Sequence, residues 1–181
     1  MNAVHFNDVR VPASQLVGEE GKGWTYATSL LGRERIGLAK VERSKERLAL
    51  AKQRASEIPG RRPNCSLLQD DVFSDRVAWL EAELAILEIT QLRAIVGEEK
   101  VNGNDPFPPV LKIKGTELIQ ATTDLLAEVA GIRSMTIGGK GASMGWQKAA
   151  GASSIIARAA SIYGGANEVQ KNIIAKKILA L

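Results

Sequence analysis

Glu34 is the residue whose type and position in this sequence most favour acid–base chemistry. It lies on an apolar helical stripe, three residues after Leu31 and four before Leu38. Positions three and four apart share one face of an α-helix, so we expect Glu34 to face the core. Desolvation favours the neutral form of a carboxyl group and suits it to act as a general base. The alternative is an ion pair with Arg33, Arg35 or a residue of a facing helix.

Two glycine clusters could bring the backbone close to a ligand. Residues 137–141 read Ile-Gly-Gly-Lys-Gly, and residues 163–167 read Tyr-Gly-Gly-Ala-Asn. The first is not a dinucleotide fingerprint, because Met144 takes the place of the last glycine and because a helix, not a strand, precedes it. The second cluster comes just before a predicted helix, whose free N–H groups attract a phosphate or a carbonyl oxygen. An ordinary turn between helices is the alternative.

The composition excludes several classes of protein and of functional site. The chain has 181 residues, of which 45% are hydrophobic and 24% charged, as in one soluble domain with a core. One cysteine, Cys65, and one histidine, His5, exclude an internal disulfide, a Cys/His metal cluster and a Ser-His-Asp triad. The net charge of +4 is dispersed and the tryptophans do not alternate with basic residues, so we expect no nucleic-acid partner. No apolar run reaches the roughly 18 residues of a membrane span, and no signal peptide is visible, so we expect a cytoplasmic protein.

Helical periodicity predicts the elements that position these residues. Residues 1–23 are predicted to be extended, and a lone strand there must either pair with structure outside this chain or lie across the helices. Long helices are predicted over 24–56, over 66–96 with Ser66 as N-cap, and over 110–130. A short helix is predicted around 153–162 and a last one after Asn167. The predicted inward stripes are Ala27, Leu31, Leu38, Val41 and Leu48; Phe73, Val77, Leu80, Leu84 and Leu87; Leu111, Leu118, Leu125 and Val129; Val169, Ile173, Ile174, Ile178 and Leu181.

The predicted fold is therefore all-α. An up-down, four-helix-bundle-like domain is expected over residues 24–181, preceded by a short extended segment at 1–23.

Four motifs, in order and spacing, resemble the C-terminal part of an acyl-CoA dehydrogenase. They span nearly the whole chain, and the last of them is highly specific. By this resemblance, residues 1–23 are the end of the family's β-domain, while its N-terminal helical domain and most of its central β-domain are absent from this sequence. The motifs are VHFNDVRVP at 4–12 followed by LVG at 16–18; GKGW at 21–24 followed by Leu31 and Glu34-Arg35; IGGKG at 137–141; and SIYGGANEVQKNIIA at 161–175.

The resemblance implies an α,β-dehydrogenation with a placed carboxylate base. Members of the family oxidise acyl-CoA thioesters to trans-2-enoyl-CoA with FAD, in fatty acid metabolism. A carboxylate removes the α-proton while the β-hydride goes to the flavin. Many members carry this base just before the closing glycine, where this sequence has Gly164. A minority carry it in a Glu-Arg pair on the first C-terminal helix, which is Glu34 followed by Arg35 here.

The resemblance also implies the remaining site residues. Two departures weaken the expected flavin contacts, because Ala166 stands where the family has a threonine and Met135 where it has a glutamine. The substrate-binding residues implied are Arg35, Tyr163 and Gly164, and the cofactor-binding residues implied are Gly138, Gly139, Gly165, Ala166 and Glu168.

These observations predict the C-terminal domain of an FAD-dependent acyl-CoA dehydrogenase that is inactive as an isolated chain. The partners implied are an acyl-CoA substrate, a second copy or a related subunit in a homo- or hetero-oligomer, and an electron acceptor such as an electron-transfer flavoprotein. The alternative is a non-catalytic structural subunit that completes a hetero-oligomer, and bound flavin would discriminate between the two. A flavin monooxygenase or an acyl-CoA oxidase could use the same domain, but a monooxygenase needs no α-proton base such as Glu34.

Overall fold

The computed structural model describes residues 2–97, 107–135 and 145–181. Within these residues the regular structure is helical and no strand occurs, which confirms the all-α prediction. The described residues form six α-helices, α1 (Gly23–Gly37), α2 (Val41–Ser56), α3 (Asp71–Val96), α4 (Phe107–Ala130), α5 (Gly145–Ala157) and α6 (Asn167–Ile173).

Ion pairs show that neighbouring helices run in opposite directions. Two ion pairs join α2 to α3, and two join α3 to α4. From the first ion pair to the second, the residue number increases on one helix and decreases on the other. The helices α2, α3 and α4 therefore alternate up and down, as predicted. These pairs have exposed or half-buried side chains, and each contributes little to stability, about 0–1 kcal/mol. They are Lys45–Glu88 and Lys52–Glu81, both at 2.5 Å, between α2 and α3, and Arg76–Glu128 at 2.7 Å and Lys114–Glu83 at 3.5 Å between α3 and α4.

Helix α4 lies at the centre of the core. It packs against α1, α2, α3, α5 and α6, and for this reason it is buried on nearly every side. The predicted inward stripes of α3 and α4 are confirmed, because a 3.6-residue period places these side chains on one face. All are buried: Phe73, Val77, Leu80, Leu84 and Leu87 on α3, and Leu111, Leu118, Leu125 and Val129 on α4.

The first long helix is in fact two helices, so the single helix predicted over 24–56 is wrong. Helix α1 ends at Gly37, and Lys40 takes a left-handed backbone conformation (φ 49°) before α2 begins. No proline marks this break. It coincides with a close approach of two backbones, since a Cβ built on Gly115 of α4 would lie 2.8 Å from the carbonyl oxygen of Ala39. We call residues 38–40 the α1–α2 junction.

Other helix boundaries also differ from the predicted ones. A 3₁₀ turn, Leu67–Gln69, separates Ser66 from α3, and the N-cap is Asp70, whose Oδ1 accepts a hydrogen bond from Phe73 N at 3.3 Å. Helix α5 ends at Ala157 and continues as a 3₁₀ turn, so the helix predicted around 153–162 begins and ends too late. The last helix continues as a π-turn, Ile174–Ile178, and its predicted stripe is only partly buried: Val169 and Leu181 are exposed, whereas Ile173, Ile174 and Ile178 are half-buried.

The N-terminal segment is exposed, and it contacts α1 at Glu19, whose N donates a hydrogen bond to Oη of Tyr26 at 3.0 Å. Residues 2–22 contain one short 3₁₀ turn, Ala13–Gln15, and no strand. Their side chains are exposed, and Phe6 is 79% exposed. The alternative in which this segment lies across the helices is therefore wrong for this chain.

Candidate functional site

The turn at residues 163–166 is held in a conformation that favours glycine. Gly164 and Gly165 both have positive φ angles, 68° and 91°, so any side chain there would strain the backbone. Both glycines are also closely approached. A Cβ on Gly164 would contact the side chain of Leu38, and one on Gly165 would lie 2.5 Å from Nε2 of Gln170. The 163–166 turn therefore lies between the α1–α2 junction and α6.

Glu34 lies on α1, one helical turn before Leu38, and its side chain is exposed. The prediction that it faces the core is wrong for this chain. The reason is that only the C-terminal end of α1 is covered, with Ile36 buried, whereas Leu31 on the predicted stripe is 45% exposed. Ile36 is two residues from Glu34, which is about 200° around an α-helix, so Glu34 lies nearly opposite the covered face of α1, and no described residue covers it. The alternative of an ion pair with Arg33 or Arg35 concerns side chains outside the described ones.

Leu38 contacts both Glu34 and the Gly164 position. Its backbone N donates a hydrogen bond to the carbonyl oxygen of Glu34 at 3.2 Å, and its side chain is the one that a Cβ on Gly164 would meet. The two places that the family resemblance offers for the base thus share one neighbour, Leu38.

The other predicted site residues are distributed unevenly. Tyr163, the first residue of the turn, and Glu168, in the first turn of α6, are exposed, and Ala166 is the N-cap of α6 but supplies no side-chain hydrogen bond. Gly138 and Gly139 lie outside the described residues, as does the side chain of Arg35.

A buried polar cluster beneath the turn was not predicted. Lys112 of α4 is fully buried, and its Nζ donates a hydrogen bond to Oδ1 of Asn167 at 2.8 Å. Thr116 Oγ1 donates to the same oxygen at 3.3 Å and lies 3.2 Å from Asn167 Nδ2. Burial lowers the pKa of Lys112, while the charge of Glu168 acts in the opposite direction. The cluster ties α4 to the first residue of α6.

This cluster is one end of a polar row along α4, which we call the polar ladder. Its members recur every four residues, so they share one face, and each binds the C-terminal part of the chain. That four-residue recurrence is the signal in the sequence that could have identified the ladder. Beyond Lys112 and Thr116 the contacts are Gln120 Nε2 to the carbonyl oxygen of Ala157 (3.2 Å), and Asp124 with Ser154 (2.5 Å) and Arg158 (2.9 Å).

The described residues of the turn do not by themselves fit the flavin diphosphate that FAD would present. Ala166 has no side-chain donor, and Glu168 places a negative charge in the first turn of α6. The nearby amide of Gln170 is fully buried, and its Nε2 donates to the carbonyl oxygen of Gly165 at 3.4 Å. A site for FAD would need groups from outside these residues. The described residues also contain no group of three or more His, Cys, Asp or Glu that could hold a metal ion.

Comparison with known proteins identifies the family. The model of the acyl-CoA dehydrogenase C-terminal domain matches residues 21–179. The acyl-CoA dehydrogenase FadE29 of Mycobacterium tuberculosis is 32% identical over 130 residues, which cover 72% of this chain and 33% of that protein. The chain spans less than half the length of the first curated relatives it matches.

Solved structures support the same fold. Butyryl-CoA dehydrogenase from Megasphaera elsdenii superimposes with a TM-score of 0.77 at 21% identity, covering 96% of this chain and 43% of that one. The ChsE4–ChsE5 complex from Mycobacterium tuberculosis superimposes with a TM-score of 0.73 at 26% identity, covering 98% and 45%. No helix among the described residues is both long and apolar enough to cross a membrane. The chain therefore belongs to the acyl-CoA dehydrogenase family and has the fold of its C-terminal helical domain.

Proposed function

We propose that this chain is the C-terminal domain of an FAD-dependent acyl-CoA dehydrogenase in which Glu34 accepts the α-proton of the acyl-CoA thioester. One observation carries the proposal. Gly164, which has no side chain where many members of the family carry the base, lies against Leu38, one helical turn from Glu34. Proton abstraction needs a carboxylate within hydrogen-bond reach of the substrate and does not depend on where it lies in the sequence.

The family resemblance gives proposed roles to further residues. Arg35, Tyr163 and Gly164 would contact the substrate, and the left-handed turn lets the thioester approach the backbone closely. On the cofactor side the proposed residues are Gly138, Gly139, Gly165, Ala166 and Glu168, joined by groups from other domains.

By itself the chain is expected to be inactive. Reacting atoms must be held about 3–3.5 Å apart, and the exposed Glu34 has no described residue covering it that could hold a substrate there. The relatives contain more than twice the length of this chain, and the missing length would supply that cover. The complete enzyme would then pass electrons to an acceptor such as an electron-transfer flavoprotein, as the family resemblance implies.

The test is a matched pair of glutamate substitutions. Residues 1–181 are joined behind the N-terminal and central domains of a relative, and flavin bleaching is followed after addition of acyl-CoA. Glu34→Gln keeps the size and hydrogen bonding of the side chain but cannot accept the proton, so the rate should fall about 10²–10⁴-fold. Glu42→Gln, an exposed glutamate in the first turn of α2, is the control and should leave the rate near that of the parent.

Stability measurements separate a base from a structural ion pair. If Glu34 only pairs with an arginine once it is covered, Glu34→Gln would lower the melting temperature, since a buried unpaired charge costs roughly 3–5 kcal/mol. A destabilised variant whose folded fraction reduces flavin at the parent rate would end the assignment of Glu34 as the base.

The second candidate function is a non-catalytic subunit of a hetero-oligomer. It is favoured by an exposed apolar face on α3, which includes Trp79, Ile86, Ile89 and Val96. Exposed apolar patches of this kind mark interaction sites. The redox state of the flavin distinguishes the two candidates. The base of the partner subunit is removed, this chain is left unchanged, and acyl-CoA is added to the complete complex. Flavin that stays oxidised would favour the structural subunit.

A further inference from the structure

Lys112 occupies a position that is costly for a lysine. It has no exposed surface and lies within α4, the most enclosed helix of the bundle. An ammonium group removed from water requires compensation from hydrogen bonds or an opposite charge. Among the described residues no carboxylate lies within ion-pair distance of Nζ, which donates a hydrogen bond to the amide oxygen of Asn167 at 2.8 Å. A leucine or methionine would suit a purely apolar core better at this position.

The acceptor lies directly after the turn at residues 163–166. Asn167 is the first residue of α6, and both Lys112 and Thr116 donate to its Oδ1. The turn itself has few other ties. Ala166 caps α6 without a side-chain hydrogen bond, and the Gln170 amide reaches the Gly165 carbonyl only at 3.4 Å. Two consecutive glycines in left-handed conformations also have more conformations available than other residues, so an outside constraint is needed to select one.

We propose that Lys112 is a positioning residue that, through Asn167, holds the 163–166 turn against the α1–α2 junction. The catalytic consequence of this inference rests on the proposed function. Leu38 belongs to the junction, and the proposed base Glu34 lies one helical turn before Leu38 on α1. Without the tie, α6 and the turn move as a unit away from Leu38, and the substrate loses its fixed position relative to Glu34. Lys112 has no exposed surface, so it would act through Asn167 and not by its own contact with the substrate.

Hydrogen exchange on the 181-residue chain tests the tie without reference to catalysis. A hydrogen bond to a charged group is worth enough to change a local opening equilibrium about 10–100-fold. In Lys112→Met we therefore expect the amides of residues 163–170 to exchange about 10–100-fold faster, while those of α3 keep the parent rate. Lys114→Met is the matched control, because Lys114 lies on the same helix but is exposed and pairs with Glu83 and Glu117.

A second variant keeps the test decisive if Lys112→Met fails to fold. Asn167→Ala leaves Lys112 in place and removes only the acceptor, so it should release the same amides. Asn167→Asp keeps an acceptor for Lys112 and adds an opposite charge, so the amides of residues 163–170 should stay as protected from exchange as in the parent. Unchanged exchange of residues 163–170 in a folded Lys112→Met, or in Asn167→Ala if Lys112→Met does not fold, would overturn the inference.

Kinetics of the complete enzyme then separate this inference from the proposed function. We expect Lys112→Met to lower kcat for flavin reduction about tenfold or more, while Lys114→Met does not, and Asn167→Asp to keep most of the parent rate. Faster exchange with an unchanged kcat would show that the turn is tied by Lys112 but is not part of the reacting site, which would contradict the proposed function and leave the tie standing. Equal losses of kcat in Lys112→Met and Lys114→Met would contradict the catalytic part of the inference.

Discussion

Replacing Gly115 by alanine should destabilise the protein, although alanine is the better helix former. Gly115 lies in the interior of α4 where the α1–α2 junction crosses it. A Cβ at this position would contact the Cα of Ala39 and lie 2.8 Å from its carbonyl oxygen and 3.0 Å from its carbonyl carbon. These are backbone atoms, so no rotamer change can relieve the contact. Either α4 or the junction must move.

Two opposing contributions decide how much Gly115→Ala changes the free energy of unfolding. Glycine to alanine inside a helix gains about 1 kcal/mol through helix propensity. Overpacking a filled site costs about 1–3 kcal/mol, and contacts with three atoms of one backbone place Gly115→Ala at the upper end of that range. The free energy of unfolding should therefore fall by about 2 kcal/mol. For a chain of this size that corresponds to a decrease in Tm of about 4–8 °C.

The assay is thermal and urea unfolding followed by circular dichroism, with Gly37→Ala as control. Gly37 is also helical, but a Cβ there would meet no atom within 4 Å. Gly37→Ala should be neutral or should raise the free energy of unfolding by up to about 1 kcal/mol. If Gly115→Ala is as stable as Gly37→Ala, the close packing of α4 on the α1–α2 junction is not present in solution. The explanation of the break in the first helix would then fail as well.

Further measurements test other parts of the structure. Gly165→Ala should lower the free energy of unfolding by about 1–3 kcal/mol, because φ is 91° and the new Cβ would meet Gln170 Nε2 at 2.5 Å; an unchanged urea midpoint would contradict this. The chain should self-associate through the exposed apolar face of α3, and sedimentation should show Ile89→Lys shifted toward monomer; a parent chain that stays monomeric at tens of micromolar refutes it. Because burial lowers the pKa of Lys112 from its ordinary 10.5, the unfolded chain binds more protons between the two values. The free energy of unfolding should thus rise with pH in that alkaline interval, and Lys112→Met should lose this rise, as measured by urea titrations at several pH values.

The sequence alone determined the helical class and the inward faces of α3 and α4. Their apolar residues recur with the period of a helix, and this local property needs no knowledge of the neighbours. Phe73 and Leu84 are buried as predicted for that reason. The order of the motifs likewise indicated the family, because it depends only on residue identities along the chain.

Tertiary structure decided what depends on contacts between distant residues. Periodicity places Glu34 on a face of α1, but whether that face is covered depends on what packs there, and no described residue does. The break before α2 follows Gly37, but a glycine also stands inside α4 at Gly115, so residue type alone does not locate the break, which coincides with the approach of Gly115, far along the chain. Lys112 and Asn167 are 55 residues apart, so their hydrogen bond forms only once α4 and α6 are packed together. A local pattern constrains which way a side chain points, whereas its partner and its burial arise from the arrangement of the whole chain.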